Sequence, residues 1–169
     1  MPYPSNLNPD SLPEGENYDI HWRHFVFKDK VILDIGADYG STVQYFLSQG
    51  ASKVIAVEND EVLYKALERN FLFSNQVIII KQEISNETDL SKLIQKFSPN
   101  IIKMDIDFSE ANLMRLSSYV LTKVSGWMIE VYDSILETKL ETKFKDAGFK
   151  VEFKMPPTDT GRKILIAWK

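Results

Sequence analysis

From Val31 onward, apolar and polar positions alternate in blocks. Seven short runs rich in β-branched and aliphatic residues recur: VILDIG (31–36), KVIAVEN (53–59), QVIIIKQEI (76–84), IIKMDID (101–107), WMIEVYD (127–133), FKVEFKM (149–155) and RKILIAW (162–168). The first five are almost continuously apolar, the pattern of strands buried on both faces of a parallel sheet. Segments of helical spacing separate them. Ser41 with Gln44 reads as a capping box for a helix ending at Gly50. Asp60 caps a helix that groups Val62, Leu63, Ala66, Leu67 and Phe71. Leu90, Leu93, Ile94 and Phe97 form a stripe stopped by Ser98-Pro99. Ser109 caps a helix through Leu113, Leu116 and Val120, and Ser134 with Glu137 opens another that Gly148 closes.

The order is five β-α steps and then two strands joined only by residues 156–161. So short a connection fits a hairpin, so the last strand runs antiparallel to its neighbour. The expectation is an α/β fold: a Rossmann-like, doubly wound, seven-stranded sheet in three α/β/α layers, six strands parallel and the last reversed. A dinucleotide-binding fold would instead add a sixth parallel strand to its second half. Residues 28–169 read as this one domain. Residues 1–27 read as an N-terminal arm, partly disordered or acting as a lid, because four of the seven prolines fall within the first 19 residues.

Composition narrows the chemistry. The chain has no cysteine, which excludes disulfides, thiolate metal sites and cysteine nucleophiles, and points to the cytoplasm. No apolar run is long enough to span a bilayer, so no membrane partner is expected. The net charge of −4, without a basic tract, argues against nucleic acid as the partner and leaves a small-molecule acceptor as the first expectation.

The turn Asp34-Ile35-Gly36-Ala37-Asp38-Tyr39-Gly40 joins the first strand to a helix, where doubly wound sheets bind ligands. Gly36 and Gly40 permit a tight bend and close approach of backbone to a ligand. The dinucleotide pattern GxGxxG fails, because Asp38 stands at its second glycine and Ser41 at its third. An aspartate would repel a pyrophosphate. S-adenosylmethionine (SAM) has no phosphate and carries a sulfonium and an amine, so the acidic loop favours SAM over NAD. Glu58, 22 positions after Gly36 at the end of the second strand, is placed to accept ribose hydroxyls from either cofactor.

The stretch from Val31 to Asp60 resembles motif I and the acidic strand end of the class I SAM-dependent methyltransferases, and more narrowly the FkbM-like family, whose first loop reads D-x-G-A-N-x-G. Lys103-Met104-Asp105-Ile106-Asp107-Phe108-Ser109-Glu110 is similar to that family's K-x-D-x-E-G-x-E, and Ile129-Glu130-Val131-Tyr132 to the end of its next strand. Asp38 replaces an asparagine of the pattern, Asp107 a glutamate, Phe108 a glycine and Tyr132 a histidine. The resemblance implies the class I methyltransferase fold, SAM as cofactor and methyl transfer as the reaction. It places Asp34, Gly36, Ala37, Asp38 and Gly40 around the methionine moiety, Glu58 on the ribose and Asn59 beside the adenine. Glu83 and Ile84 fall at the adenine edge, where Glu83 reads equally well as an exposed strand-end charge.

Asp105 and Asp107 close the fourth strand on one face, and Glu130 closes the fifth. Three converging carboxylates suit a general base for a hydroxyl acceptor, or equally a divalent cation. Asp105 and Glu130 are the candidate catalytic residues, with Asp105 also a candidate for the cofactor amine; no metal ligand is assigned. Asp107 alternatively caps the next helix. The missing N/D-P-P-Y motif after the fourth strand points to oxygen rather than nitrogen as acceptor. A non-catalytic module holding SAM or its product, and a methyltransferase acting on RNA or protein, are the alternatives. His21 and His24, the only histidines, read as half of a metal site, a proton shuttle or, with Trp22, Phe25 and Phe27, part of a packed arm. Arg162 and Lys163 read as solvated charge or as contacts for an acidic substrate.

Overall fold

The computed structural model describes residues 18–106, 110–155 and 162–169. Its elements run α1 (Tyr18–Trp22), β1 (Val31–Ile35), α2 (Ser41–Ser48), β2 (Lys53–Glu58), α3 (Glu61–Asn70), β3 (Val77–Lys81), α4 (Glu87–Phe97) and β4 (Ile101–Met104). A 3-10 helix (Glu110–Arg115), α5 (Ser118–Leu121), β5 (Gly126–Val131), α6 (Ser134–Asp146), β6 (Lys150–Lys154) and β7 (Lys163–Trp168) follow. The seven strands form one sheet in the order β3-β2-β1-β4-β5-β7-β6. β7 lies antiparallel between β5 and β6, and the pairs among the first five strands are parallel. This is the expected doubly wound sheet with its reversed strand.

Both faces of the sheet are buried. Alternation sends Leu33, Ile55, Ile102, Ile129 and Leu165 to one side, against Leu90, Leu93 and Ile94 of α4 and Leu140 and Phe144 of α6. Ile32, Val54, Ala56, Met128 and Ile166 face the other side, against Val43 and Phe46 of α2, Leu67 of α3 and the aromatic residues Tyr18, Trp22 and Phe27. The helical stripes are thus the ones the spacing gave, except that Val62 is exposed. Trp22 and Phe27, before β1, pack in the same core cluster as this face of the sheet; residues 1–17 lie outside the described residues.

Several caps differ from expectation. Gly40, with φ 103°, is the N-cap of α2, and Ser41 is already helical, so there is no capping box. A Cβ at residue 40 would lie 2.3 Å from the Phe71 ring, so the helix start is packed too tightly for a side-chain cap. Asp133, not Ser134, caps α6, its carboxylate accepting the amides of Ile135 and Leu136. The single helix expected from Ser109 is two pieces, because the Ser117 hydroxyl accepts the Val120 amide and starts a new helix. Ser109, Asp107 and Phe108 are outside the described residues. The strand runs also end early: Asp105 and Tyr132 have left the sheet for the loops beyond it.

Candidate functional site

A cleft of about 560 Å³ opens beyond the carboxyl ends of the parallel strands. This lies within the size range of small-molecule sites. Gly36 and Asp38 from the β1 turn, Glu58, Asn59 and Asp60 after β2, and Gln82, Glu83 and Ile84 after β3 line one half. Asp105 and Ile106 after β4, Tyr132 after β5 and Arg162 before β7 line the other. Most residues assigned to the cofactor from sequence therefore line this one cleft: Gly36, Asp38, Glu58, Asn59, Glu83 and Ile84 in the first half and Asp105 in the second.

Glu58 organises the first half. Its side chain is buried, and its carboxylate accepts backbone amides from Asp38 (2.9 Å), Asn59 (2.8 Å) and Asp60 (2.9 Å). One carboxylate thus joins the β1 turn to the β2 turn. Asp38 has φ 53°, and its own carboxylate accepts the Tyr39 amide at 2.7 Å. Among residues with a side chain, asparagine and aspartate tolerate that left-handed backbone best, which fits the residue type at this point of the loop. The Gly36 requirement has a different origin from the one expected. A Cβ there would lie 1.9 Å from the Asp105 carbonyl oxygen, so glycine admits the end of β4 rather than a ligand.

Asp34, Ala37 and Gly40 do not line the cleft. Asp34 is fully buried beneath it: Thr42 Oγ1 donates to its carboxylate at 2.6 Å, and Lys103 Nζ lies 3.1 Å from its other oxygen. The Lys103 ammonium also donates to the Gly36 carbonyl at 2.6 Å and sits 5.4 Å from the Trp22 ring centre. Burial alone would lower the Lys103 pKa, but Asp34 and Asp105 outweigh it and hold the amine charged, with its pKa above the ordinary value. In the sequence Lys103 stands only as the first residue of the K-x-D motif. Its role as a buried counter-ion under the glycine turn was not read.

At the other half, Glu130 is buried and crowded by partners. Tyr132 Oη donates to it at 3.1 Å, Arg162 at 3.2 Å, and His21 Nε2 lies 3.4 Å from its second oxygen. Burial would raise the Glu130 carboxyl, but His21, Asp105, Arg162 and Tyr132 together depress it to about 2. Asp105 moves the opposite way. Burial, with the Glu130 carboxylate beside it, pushes it up to about 8 against the opposing pull of Lys103. The two carboxyls are tuned apart, one held as an anion and one keeping a proton into the neutral range. His21 arrives from α1, which sequence reading placed in the arm, 109 positions from Glu130. His24 does not join it; its ring nitrogen pairs with the His21 carbonyl at 2.8 Å. Among the described residues, no cluster of three His, Asp or Glu side chains is arranged to hold a metal ion.

The strand order, the reversed β7 and a cleft at the strand tips define a class I Rossmann-like methyltransferase fold. Solved structures of similar shape agree. Precorrin 8W decarboxylase from Methanobacterium thermoautotrophicum matches with a TM-score of 0.65 over 98% of this chain and 97% of that one, at 13% identity. Precorrin-6y C5,15-methyltransferase from Geobacter metallireducens matches with a TM-score of 0.61 over 84% and 81%, at 17% identity. Aeropyrum pernix fibrillarin, crystallised with natively bound S-adenosyl-L-methionine, matches with a TM-score of 0.62 over 84% and 67%, at 12% identity. By sequence, the chain is 46% identical over 124 residues to uncharacterized protein 158B of Sulfolobus islandicus rod-shaped virus 1, covering 67% of this chain and 72% of that protein; it belongs to the same family. No protein-family model matches the chain. No helix among the described residues is long and apolar enough to cross a membrane.

Proposed function

We propose that this protein is a SAM-dependent methyltransferase acting on an oxygen of a small-molecule acceptor, of FkbM-like type in its first loop. The observation that carries the reading is the single cleft shared by the β1 turn, Glu58 and the Asp105–Tyr132–Arg162 group. Its chemistry fits the cofactor. Asp38, Glu58, Asp60, Glu83 and Asp105 give the cleft a strongly negative lining, with Arg162 the one cation among its described residues. Such a lining attracts a sulfonium and an amine and repels phosphates. It also disfavours an RNA acceptor, whose backbone would meet those carboxylates.

When bound, SAM supplies an electrophilic methyl group. The residues of this chain supply position and proton handling. Glu58 holds the ribose hydroxyls, with Asn59, Glu83 and Ile84 around the base. Gly36 and Asp38 form the floor for the methionine part. Asp105, facing the acceptor half, takes the hydroxyl proton once its own has been released. Glu130, kept anionic behind it, orients Tyr132 and Arg162 by accepting their hydrogen bonds. The domain division, with residues 1–27 as an arm over residues 28–169, belongs to the same proposal. α1 within that arm is what brings His21 to Glu130.

Calorimetric titration with SAM, its demethylated product and NAD tests the cofactor. SAM and its product should bind with 1:1 stoichiometry, and NAD should not compete. Tighter binding of NAD would overturn the proposal. Screening radiolabelled SAM against hydroxylated small molecules, RNA and proteins then tests the acceptor. Labelling of RNA alone would overturn the small-molecule reading.

A further inference from the structure

The two edges of the sheet are built differently. β6, at one edge, alternates exposed Lys150, Glu152 and Lys154 with half-buried Val151 and Phe153. Charged side chains along an edge are a common defence against pairing with another chain. β3, at the other edge, carries Val77, Ile78, Ile79 and Ile80 in succession, with no charge before Lys81 and no proline. Among the described residues, no strand pairs with its outer side.

The phase of β3 is set by its bonds to β2. The Val54 amide donates to the Gln76 carbonyl at 2.9 Å, and the Gln82 amide donates to the Glu58 carbonyl at 3.2 Å. In a parallel ladder alternate residues face the neighbour, so Gln76, Ile78, Ile80 and Gln82 bond inward. Val77, Ile79 and Lys81 therefore turn their amides and carbonyls outward. The flanking sequence is also close to a palindrome about Ile79: Gln76 mirrors Gln82, and Ile78 mirrors Ile80. Side chains on both faces of the strand are already packed in the two cores, Ile78 and Ile80 on one and Val77 and Ile79 on the other. What remains open is the hydrogen-bonding edge itself.

We infer that two copies of this chain pair through β3, antiparallel, about a two-fold axis at Ile79. The outward phase suits this register. Ile79 meets Ile79 of the second copy as a hydrogen-bonded pair, and Val77 meets Lys81 on either side, giving about six backbone hydrogen bonds. The interface is isologous and makes one continuous fourteen-stranded sheet from two seven-stranded ones. Gln82, Glu83 and Ile84, which line the cleft, continue directly from the paired strand, and the antiparallel pairing sets the two clefts at opposite ends of the joined β3 strands.

Light scattering on the full chain tests the mass, with double the 19.5 kDa of one chain expected at high concentration. Amide hydrogen exchange tests the register independently of any variant. In the dimer the amides of Val77, Ile79 and Lys81 should be as protected as those of Ile78 and Ile80, and should lose that protection on dilution. The Ile79→Pro substitution removes one outward amide while leaving the inward ladder intact, and should hold the chain at single mass with an unchanged circular dichroism spectrum. A chain that stays single at millimolar concentration would overturn the inference. So would a dimer in which the amides of residues 77, 79 and 81 exchange freely.

Discussion

Replacing Lys103 by Met is the sharpest test of how the cleft floor is held. Methionine keeps the length of the stem and its packing beside Trp22 but removes the charge. Asp34 then loses the ammonium 3.1 Å away, and the Gly36 carbonyl loses its donor at 2.6 Å. Asp34 is shut off from water, so its carboxylate is not rehydrated. Removing one partner of a buried pair costs about 3–5 kcal/mol. For a domain of this size, that lowers Tm by about 6–20 °C, at about 2–4 °C per kcal/mol. Adding Asp34→Asn removes the stranded charge while leaving an oxygen for Thr42, so the double variant should regain about 2 kcal/mol relative to the sum of the two singles. Urea unfolding of the four proteins followed by fluorescence measures all of this, provided the m values agree. Purely additive losses would refute the reasoning, as would a Lys103→Met loss below about 1 kcal/mol. The same variants separate structure from binding. Asp34 does not line the cleft, so folded Asp34→Asn should bind SAM within about threefold of the parent, a difference below about 1 kcal/mol.

Glu58→Gln removes a charged acceptor that clamps the two turns, and should weaken SAM binding by about 10- to 100-fold in calorimetry, the loss of about 1.5–3 kcal/mol for a charge-assisted bond. Asp105 titrates near 3.8 in the unfolded chain and near 8 in the folded one, so its contribution to stability is full below pH 4 and is lost as pH rises to about 8. Asp105→Asn should therefore gain in Tm relative to the parent between pH 5 and pH 9, by an amount damped because the side chain is about one-third exposed; parallel Tm curves would contradict the assignment. With an acceptor in hand, kcat/KM should rise with pH through about 8 and lose that rise in the Asp105→Asn variant. Gly36→Ala places a Cβ against the Asp105 carbonyl at a φ of +75°, and should cost at least about 2 kcal/mol by thermal unfolding.

The sheet was legible because its first five strands are almost continuously apolar runs, and the reversed strand because six residues leave room only for a hairpin. The half of the cleft carrying Glu58, Asn59 and Glu83 was legible for a related reason: those residues lie where the runs end, and strand ends are where such sheets bind ligands. Three features were hidden. Lys103 sits inside a strand run, where a lone cation carries no mark of its partner; only the register beside Asp34 brings the two together. α1 is five residues long, too short to show a period, so the meeting of His21 with Glu130 was not readable. The helix caps were misplaced by one residue at Gly40 and Asp133, because neighbouring residues of each pair both suit a turn, and tertiary packing chooses between them.

The place of β7 has a consequence for how the molecule is assembled. It follows β6 in the chain yet lies inside it, so β6 touches the sheet only through β7. During synthesis on the ribosome β6 emerges with no neighbour to bind. β5, buried along its whole length in the finished protein, meanwhile keeps one bare flank. The sheet is complete only once β7 has paired with both β5 and β6. Arg162, just before β7, reaches Glu130, so the pairing of that strand and the acceptor half of the cleft depend on each other.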